Sequence, residues 1–233
     1  MKFRHELKYL IKYQDYIVIK MRLSGVFKRD QNVSQEGSYT VRSLYFDDYF
    51  NTAYNEKYSG LINRQKYRIR IYNHSDSIIN LERKIKSNRY IHKQTTPLTN
   101  SEARSIVDGD YKCLLESANN LYKIFYHELV TNLYRPRVVV DYEREPFIMD
   151  EGDVRITFDK NIRAGTLGYE LFDPYMPTIE VLDPGLLIME IKYSEFFPKV
   201  LRKLLPSKST NFTAVSKYIL GCDKIKFKAK SFA

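Results

Sequence analysis

The stretch Tyr67-Arg-Ile-Arg-Ile-Tyr72 alternates basic and apolar residues with the two-residue period of a β-strand. Arg68 and Arg70 point to one face; Tyr67, Ile69 and Ile71 point to the other. Two neighbouring guanidiniums, always charged and fork-shaped, suit the oxygens of phosphate or carboxylate. Taken alone, this reads as a half-buried strand whose arginines meet water. The pattern recurs along the chain, however. Glu6 and Lys8 share a face, as do Glu82 with Lys84 and Glu190 with Lys192; Arg144 lies two past Tyr142, and Arg155 opposes Val154 and Ile156. Six charged faces backed by β-branched or aromatic residues predict a closed barrel with a charged interior, because a barrel takes alternate residues from every strand. Unpaired ions are too costly to bury in a dry lumen. A lumen built to hold a polyphosphate removes that difficulty, its basic residues gripping phosphates and its few carboxylates a divalent cation.

The elements that must position these residues are readable in order. Phe3 to Ile11 is a strand, with Arg4, Glu6 and Lys8 on one face, and Tyr13 to Phe27 is a helix. After a polar loop, Gln31 to Ser38, Tyr39 to Asp47 is a strand, and Asp47-Asp48 opens a helix running to Tyr58 and ended by Gly60. Arg64 to Tyr72 is the central strand; His74 to Ser77 turns the chain into a strand over Ile78 to Ile85, which continues through the basic Lys86 to Gln94. Thr99-Asn-Ser-Glu102 is a capping box that opens helical stretches at 101–107, 111–118 and 121–133. Strands return at Arg137 to Glu145, Asp153 to Lys160 and Leu187 to Tyr193, with a loop over 165–177. A short helix at Phe197 to Leu205, a helix at Phe212 to Leu220 and a basic tail, Lys224 to Lys230, close the chain. The fold class is α+β: an antiparallel β-barrel tunnel with surrounding helices, one domain over 1–233 with its core in 1–222 and a tail over 223–233.

Composition bounds the function. The 233 residues are 43% hydrophobic and 14% aromatic, which excludes a wholly disordered chain, and 20 tyrosines favour strands. A net charge of +10 points to a polyanionic partner. Cys113 and Cys222 stand in no metal-ligand spacing and read as ordinary thiols in a reducing compartment. The charged N-terminus is no signal peptide, and no stretch approaches the roughly 20 apolar residues of a membrane span. The expectation is a soluble cytoplasmic protein, with a peripheral position at the inner face of a membrane left open.

Seven motifs occur in the order seen in the VTC domain: Glu6-Leu-Lys8-Tyr9, Leu44-Tyr-Phe-Asp47, Arg64-Gln-Lys-Tyr-Arg-Ile-Arg70, Leu81-Glu-Arg-Lys84, Val154-Arg-Ile-Thr157, Met189-Glu-Ile-Lys192 and Ser216-Lys217-Tyr218. Each is weak by itself; together, from Phe3 to Gly221, they make the chain resemble the polyphosphate polymerase domain of the vacuolar transporter chaperone family, within the triphosphate tunnel metalloenzymes (CYTH-like). The resemblance implies an antiparallel β tunnel that transfers the ATP γ-phosphate onto a polyphosphate chain with Mn²⁺ or Mg²⁺. It implies that Lys8, Arg68, Arg70 and Lys84 grip the triphosphate, joined by Arg144 and Arg155 as catalytic residues. Tyr142, Ser216 and Lys217 would bind phosphate, with Lys93 as a further basic residue, and Glu190 would hold the metal. Two departures stand out. Arg4 replaces the first glutamate of the superfamily's E-x-E-x-K, which shifts the weight of metal binding to Glu190, and Ala214-Val215 precede Ser-Lys where a basic or aromatic residue is usual. No regulatory SPX-like domain or membrane helix is attached, so a stand-alone catalytic domain is expected.

Three readings remain open on the residues alone. The first is a metal-dependent phosphotransferase using ATP and polyphosphate, the second a tunnel triphosphatase, and the third a non-catalytic polyphosphate-binding domain. Nucleic acid is not an expected partner, because the aromatics mostly oppose the basic residues rather than joining them; a membrane-protein partner and the oligomeric state are left open. His5, His74, His92 and His127 share no metal spacing and read as structural or surface residues. Asp47 and Asp48 read as helix-terminal carboxylates rather than metal ligands.

Overall fold

The computed structural model describes residues 5–30, 33, 37–88, 90–165, 170–194, 196, 198–199, 201, 211–212 and 215–230. In chain order the elements are β1 (His5–Lys12), α1 (Tyr13–Ser24), β2 (Lys28–Arg29), β3 (Tyr39–Asp47), α2 (Thr52–Tyr58), β4 (Arg64–Tyr72), β5 (Ser75–Ser87), β6 (Tyr90–Pro97), α3 (Asn100–Asp108), α4 (Lys112–Glu116), α5 (Asn120–Thr131), β7 (Arg135–Met149), β8 (Val154–Gly165), β9 (Thr178–Glu180), β10 (Leu186–Tyr193), β11 (Asn211–Phe212) and α6 (Lys217–Lys230). All the strands join one antiparallel sheet in the order β11-β1-β10-β8-β7-β3-β4-β5-β6, with β2 on β7 and β9 on β8.

The sheet curls on itself. β1 and β5 stand six positions apart, about 29 Å in a flat sheet at ~4.8 Å per strand. Yet the Lys84 ammonium on β5 lies 2.8 Å from the Glu6 carboxylate on β1. The expected tunnel is therefore present, and its seam differs in kind from a closed ladder. The hydrogen-bonded path ends at β6 and β11, and side chains bridge the gap.

Turn chemistry sets the registers. Asn73 and His74 are both left-handed (φ 51° and 54°), the two-residue turn that matches strand twist. The turn is thus shorter than His74–Ser77, and β5 begins at Ser75. Asn88 (φ 55°) precedes a separate strand β6 where one continuous strand was expected. On β8, Asn161 (φ 49°) sits in a bulge against β7, where the ladder skips from Asp141 to Glu143. The extra residue shifts the alternation by one. Arg155, Thr157 and Asp159 face inward before it; Ile162 and Ala164, which pack with α6, do so after it.

Three apolar clusters hold the layers. Helices α3, α4 and α5 cover the outer face of β4 and β5 through Ile106, Leu114, Phe125 and Leu129 against Tyr67, Ile69 and Leu81. Helix α1 covers β8 and β10 through Tyr16, Ile19 and Leu23. Helix α6 lies on the inner face, where Tyr218 and Cys222 pack on Val138, Val140 and Ala164. It approaches closely because residue 221 is glycine: a Cβ there would come within 3.0 Å of Val140 Cγ2.

The expected capping box is formed, Thr99 Oγ1 accepting from the Glu102 amide and Glu102 from the Thr99 amide. Helix α2 begins at Thr52, later than Asp47–Asp48, yet those carboxylates still serve its N-terminus. Asp47 accepts from the Ala53 and Tyr54 amides and Asp48 from Thr52. The expected tail is not separate from the core: α6 starts at Lys217 and runs without a break to Lys230, and Asp223 accepts a 2.5 Å bond from Tyr54. Asn211–Phe212 is a strand rather than the start of that helix. Most of the helix expected over 197–205, along with Arg4 and Ala214, lies outside the described residues. No helix among the described residues is long and apolar enough to cross a membrane.

Candidate active site

The inward positions of the curled sheet converge on a cavity of about 280 Å³. Eleven lysines and arginines and two carboxylates, Glu6 and Glu190, line it. Strand β4 supplies a continuous row: Arg64, Lys66, Arg68 and Arg70 all face in, while Tyr67, Ile69 and Ile71 are fully buried outward. Strand β7 changes character along its inner face, from Val138 and Val140 under α6 to Tyr142 and Arg144 in the cavity.

Two buried carboxylates behind the lining fix the cations. Glu82 accepts from Arg68 Nε at 2.6 Å and from Lys93 at 2.8 Å, with Arg70 Nη1 3.6 Å away. Asp159 takes a two-pronged grip from Arg144, at 2.7 and 2.8 Å, and also accepts from Lys217. Burial opposes ionisation of both acids, but the cations win. Arg68, Arg70 and Lys93 hold Glu82 far below the ordinary glutamate value, and Arg144 with Lys217 holds Asp159 at about 2. Hydroxyls finish the orientation. Tyr45 accepts from Arg68 at 3.0 Å, and Ser43 and Tyr142 accept from Arg70 at 3.1 and 3.2 Å. The Arg144 and Lys217 cations sit 5.2 and 4.6 Å from the centre of the Tyr142 ring.

The lining carboxylates belong to a crossed pair of strands. Glu6 stands opposite Lys192 and Lys8 opposite Glu190 across β1 and β10. Lys8 and Lys84 lie 2.9 and 2.8 Å from Glu6, and Lys192 lies 3.0 Å from Glu190. Despite burial, Lys192, Lys8 and Arg144 keep Glu190 well below its ordinary value, and Lys8 keeps Glu6 low as well. Both are therefore carboxylates at neutral pH.

Most of the residues singled out from sequence meet here: Lys8, Arg68, Arg70, Lys84, Tyr142, Arg144, Glu190, Ser216 and Lys217 all line the cavity. Lys93 stands one layer back, on Glu82. Arg155 is the exception. It shares the inner face of β8, but its Nη2 donates to Asp30 at 2.9 Å and Tyr39 at 3.2 Å, and it is not in the lining. Val215 reaches the cavity as an apolar wall.

Sequence reasoning passed over Arg64, Lys66, Lys57, Lys86 and Lys192 as site residues. Arg64 and Lys66 were in phase with Arg68 and Arg70, so the alternation already carried them. Lys57 comes from α2, whose approach no strand pattern encodes. Among the described residues no three His, Cys, Asp or Glu side chains gather as metal ligands. Asp47 is occupied by amides and the Tyr218 hydroxyl, and His5 stacks on Tyr193.

No curated protein matches the chain in sequence. In fold it is similar to a Hippeastrum protein named an adenylyl cyclase and reported to have a dominant triphosphatase activity (12% identity, 96% of each chain, TM-score 0.53). It is also similar to a protein from Vibrio parahaemolyticus named as an adenylate cyclase (13% identity, 94% of this chain and 98% of that one, TM-score 0.51). At such identities these likenesses concern the fold alone, and they agree with a curled antiparallel sheet. The family model described as the VTC domain matches residues 3–226, and with the motif order and the cation-lined tunnel this establishes that the chain belongs to the VTC domain family.

Proposed function

We propose that the protein is a polyphosphate polymerase that transfers the γ-phosphoryl group of ATP to the end of a polyphosphate chain, releasing ADP. The observation that carries this is the β4 row. Arg64 to Arg70 spans about 20 Å at ~3.3 Å per residue, a cationic track longer than a nucleotide's triphosphate. A track of that length supports transfer to a chain over hydrolysis of a triphosphate.

Phosphoryl transfer through a loose transition state asks mainly for positioning and charge stabilisation. Arg68 and Arg70 from β4, Arg144 from β7 and Lys217 from α6 reach one cavity and are held by Glu82 and Asp159 before any substrate arrives. They supply charge stabilisation without reorganisation. In this reading a terminal phosphate oxygen of the chain is the attacking group, and ADP leaves with the electrons of the broken P–O bond. Glu6 and Glu190 fit a Mg²⁺ or Mn²⁺ bound by one or two carboxylates and substrate phosphates, because both are ionised and both face the cavity. The ion would neutralise phosphate charge when bound.

The test is purified protein with ATP and Mn²⁺, read by polyphosphate gel staining with ADP and free-phosphate assays. ADP with a polyphosphate ladder is the expected result. ADP with equimolar free phosphate and no ladder would make it a triphosphatase, and no ADP with tight polyphosphate binding would make it a binding domain.

A further inference from the structure

The cavity cations divide into two groups by their partners. Lys8, Lys84, Arg68, Arg70, Lys192, Arg144 and Lys217 each have a carboxylate within ion-pair distance. Arg64, Lys66, Lys57 and Lys86 have none within that distance among the described residues; Glu56 acts on Arg64 and Lys66, and Glu6 on Lys86, only from farther away. The second group is contiguous. Arg64 stands opposite Lys86 across β4 and β5, Lys66 is the next inward residue on β4, and Lys57 enters from α2. Among the described residues its polar contacts are few: Ser216 Oγ lies 3.1 Å from Lys66 Nζ, with the Tyr218 ring 4.6 Å beneath that amine, and Arg64 Nη1 donates to the Leu61 carbonyl.

Four cations placed together with no carboxylate in direct contact are costly, and the protein has not relieved that cost with close ion pairs as it has elsewhere in the same cavity. We propose that Lys57, Arg64, Lys66 and Lys86 form a separate subsite for the distal phosphates of a polyphosphate chain, while the carboxylate-balanced half takes the nucleotide's triphosphate. This rests on the polymerase reading and gives the tunnel a direction. Glu6 and Glu190, which suit the metal, lie in the balanced half. Arg64 lies about 13 Å from Arg68 along β4 at ~3.3 Å per residue, beyond the groups that would surround the γ-phosphate. A repeating polyanion brings one negative charge for each cation there; the uncharged base and ribose of a nucleotide bring none. Burial lowers the proton affinity of all four side chains, and repulsion from neighbouring cations lowers it further for Lys57, Lys66 and Lys86, as expected of groups awaiting an anion.

The experiment is isothermal titration of metal-free protein with inorganic triphosphate and with long-chain inorganic polyphosphate, comparing wild type with Lys57→Gln/Lys86→Gln. Both positions are partly exposed, and Arg64→Gln provides a second variant if the first does not fold. The polyphosphate Kd should rise at least tenfold more than the triphosphate Kd. The salt dependence of polyphosphate binding should flatten by about the two charges removed. Equal weakening of both ligands, or unchanged polyphosphate binding, would overturn the subsite. Turnover is not involved, so the absence of a polyphosphate ladder refutes the polymerase reading while this split decides the subsite separately.

Discussion

Asp159→Asn isolates the part of the site that the protein holds in tension. Asp159 is fully buried and bonded to both Arg144 and Lys217. Asparagine keeps the shape and removes the charge, leaving two buried cations without their shared counter-ion. The magnitude can be reached in two ways. The carboxyl falls from 3.8 to about 2, and at ~1.4 kcal/mol per pKa unit that corresponds to about 2–3 kcal/mol. Removing one member of a buried pair typically costs ~3–5 kcal/mol. The two agree near 3 kcal/mol, read as a lower urea midpoint at pH 7 with an unchanged slope. The pH dependence has a definite sign. A carboxyl depressed in the folded state binds fewer protons there than in the unfolded chain, so its contribution is complete above the unfolded value and is lost as pH falls toward about 2. The difference between wild type and variant should therefore shrink on acidification from about pH 5 to about pH 2. A variant within ~0.5 kcal/mol of wild type at pH 7 would show that Arg144 and Lys217 do not depend on Asp159.

Further outcomes follow from the same geometry. Arg68→Ala with Arg70→Ala should weaken triphosphate binding at least tenfold and flatten its salt dependence; unchanged affinity by calorimetry would place those arginines outside the binding surface. Glu190→Gln should abolish metal-dependent turnover while circular dichroism and the urea midpoint show a folded protein, and intact turnover would remove Glu190 from metal binding. Burial, Lys57 and Arg64 push Lys66 down to about 7. An arriving phosphate favours its protonated form, so polyphosphate affinity should fall as pH rises above about 7, by up to about tenfold per unit. Lys66→Arg should lose this dependence, and an equal slope in that variant would assign the proton elsewhere. Gly221→Val should force α6 away from Val138 and Val140, cost about 1–3 kcal/mol, and lower affinity by displacing Ser216 and Lys217. Wild-type stability would mean that the helix adjusts without strain.

Alternation carried most of the architecture. Arg68 with Arg70, Glu82 with Lys84 and Glu190 with Lys192 face inward as their two-residue period requires, since outward positions such as Ile69 and Leu81 pack under helices. What failed was what period cannot encode. The Asn161 bulge reverses facing in mid-strand, so the pattern read to Lys160 gives no sign that Ile162 and Ala164 return to the inner face. Arg155 was in phase with the site, but phase fixes a face and not a height along the tunnel; Asp30, from a distant segment, claims its guanidinium. Glu82 was visible on the charged face, while its role as shared counter-ion depended on Lys93, one strand further on. The sequence reads as a short helix and a basic tail; Lys224 and Lys226 are indeed exposed, and what joins this stretch to the core is long-range, the Tyr54 hydroxyl donating to Asp223 and Lys226 lying 4.0 Å over the Tyr54 ring.

The carboxylates explain how so basic a cavity can be stable and still receive a polyanion. Glu82 on β5 and Asp159 on β8, four positions apart in the sheet, each gather cations from more than one strand or helix. Each thereby lowers the repulsion that phosphates would otherwise have to relieve. Neither takes part in the lining, so an incoming phosphate need not displace them. It meets guanidiniums whose orientation is already set. Glu6 is different: it lies within the cavity and is shared by Lys8 and Lys84. A metal or a phosphate arriving there changes the partner of both lysines. The rear carboxylates thus stabilise a fixed frame, while Glu6 and Glu190 form the part of the charge balance that substrate can rearrange.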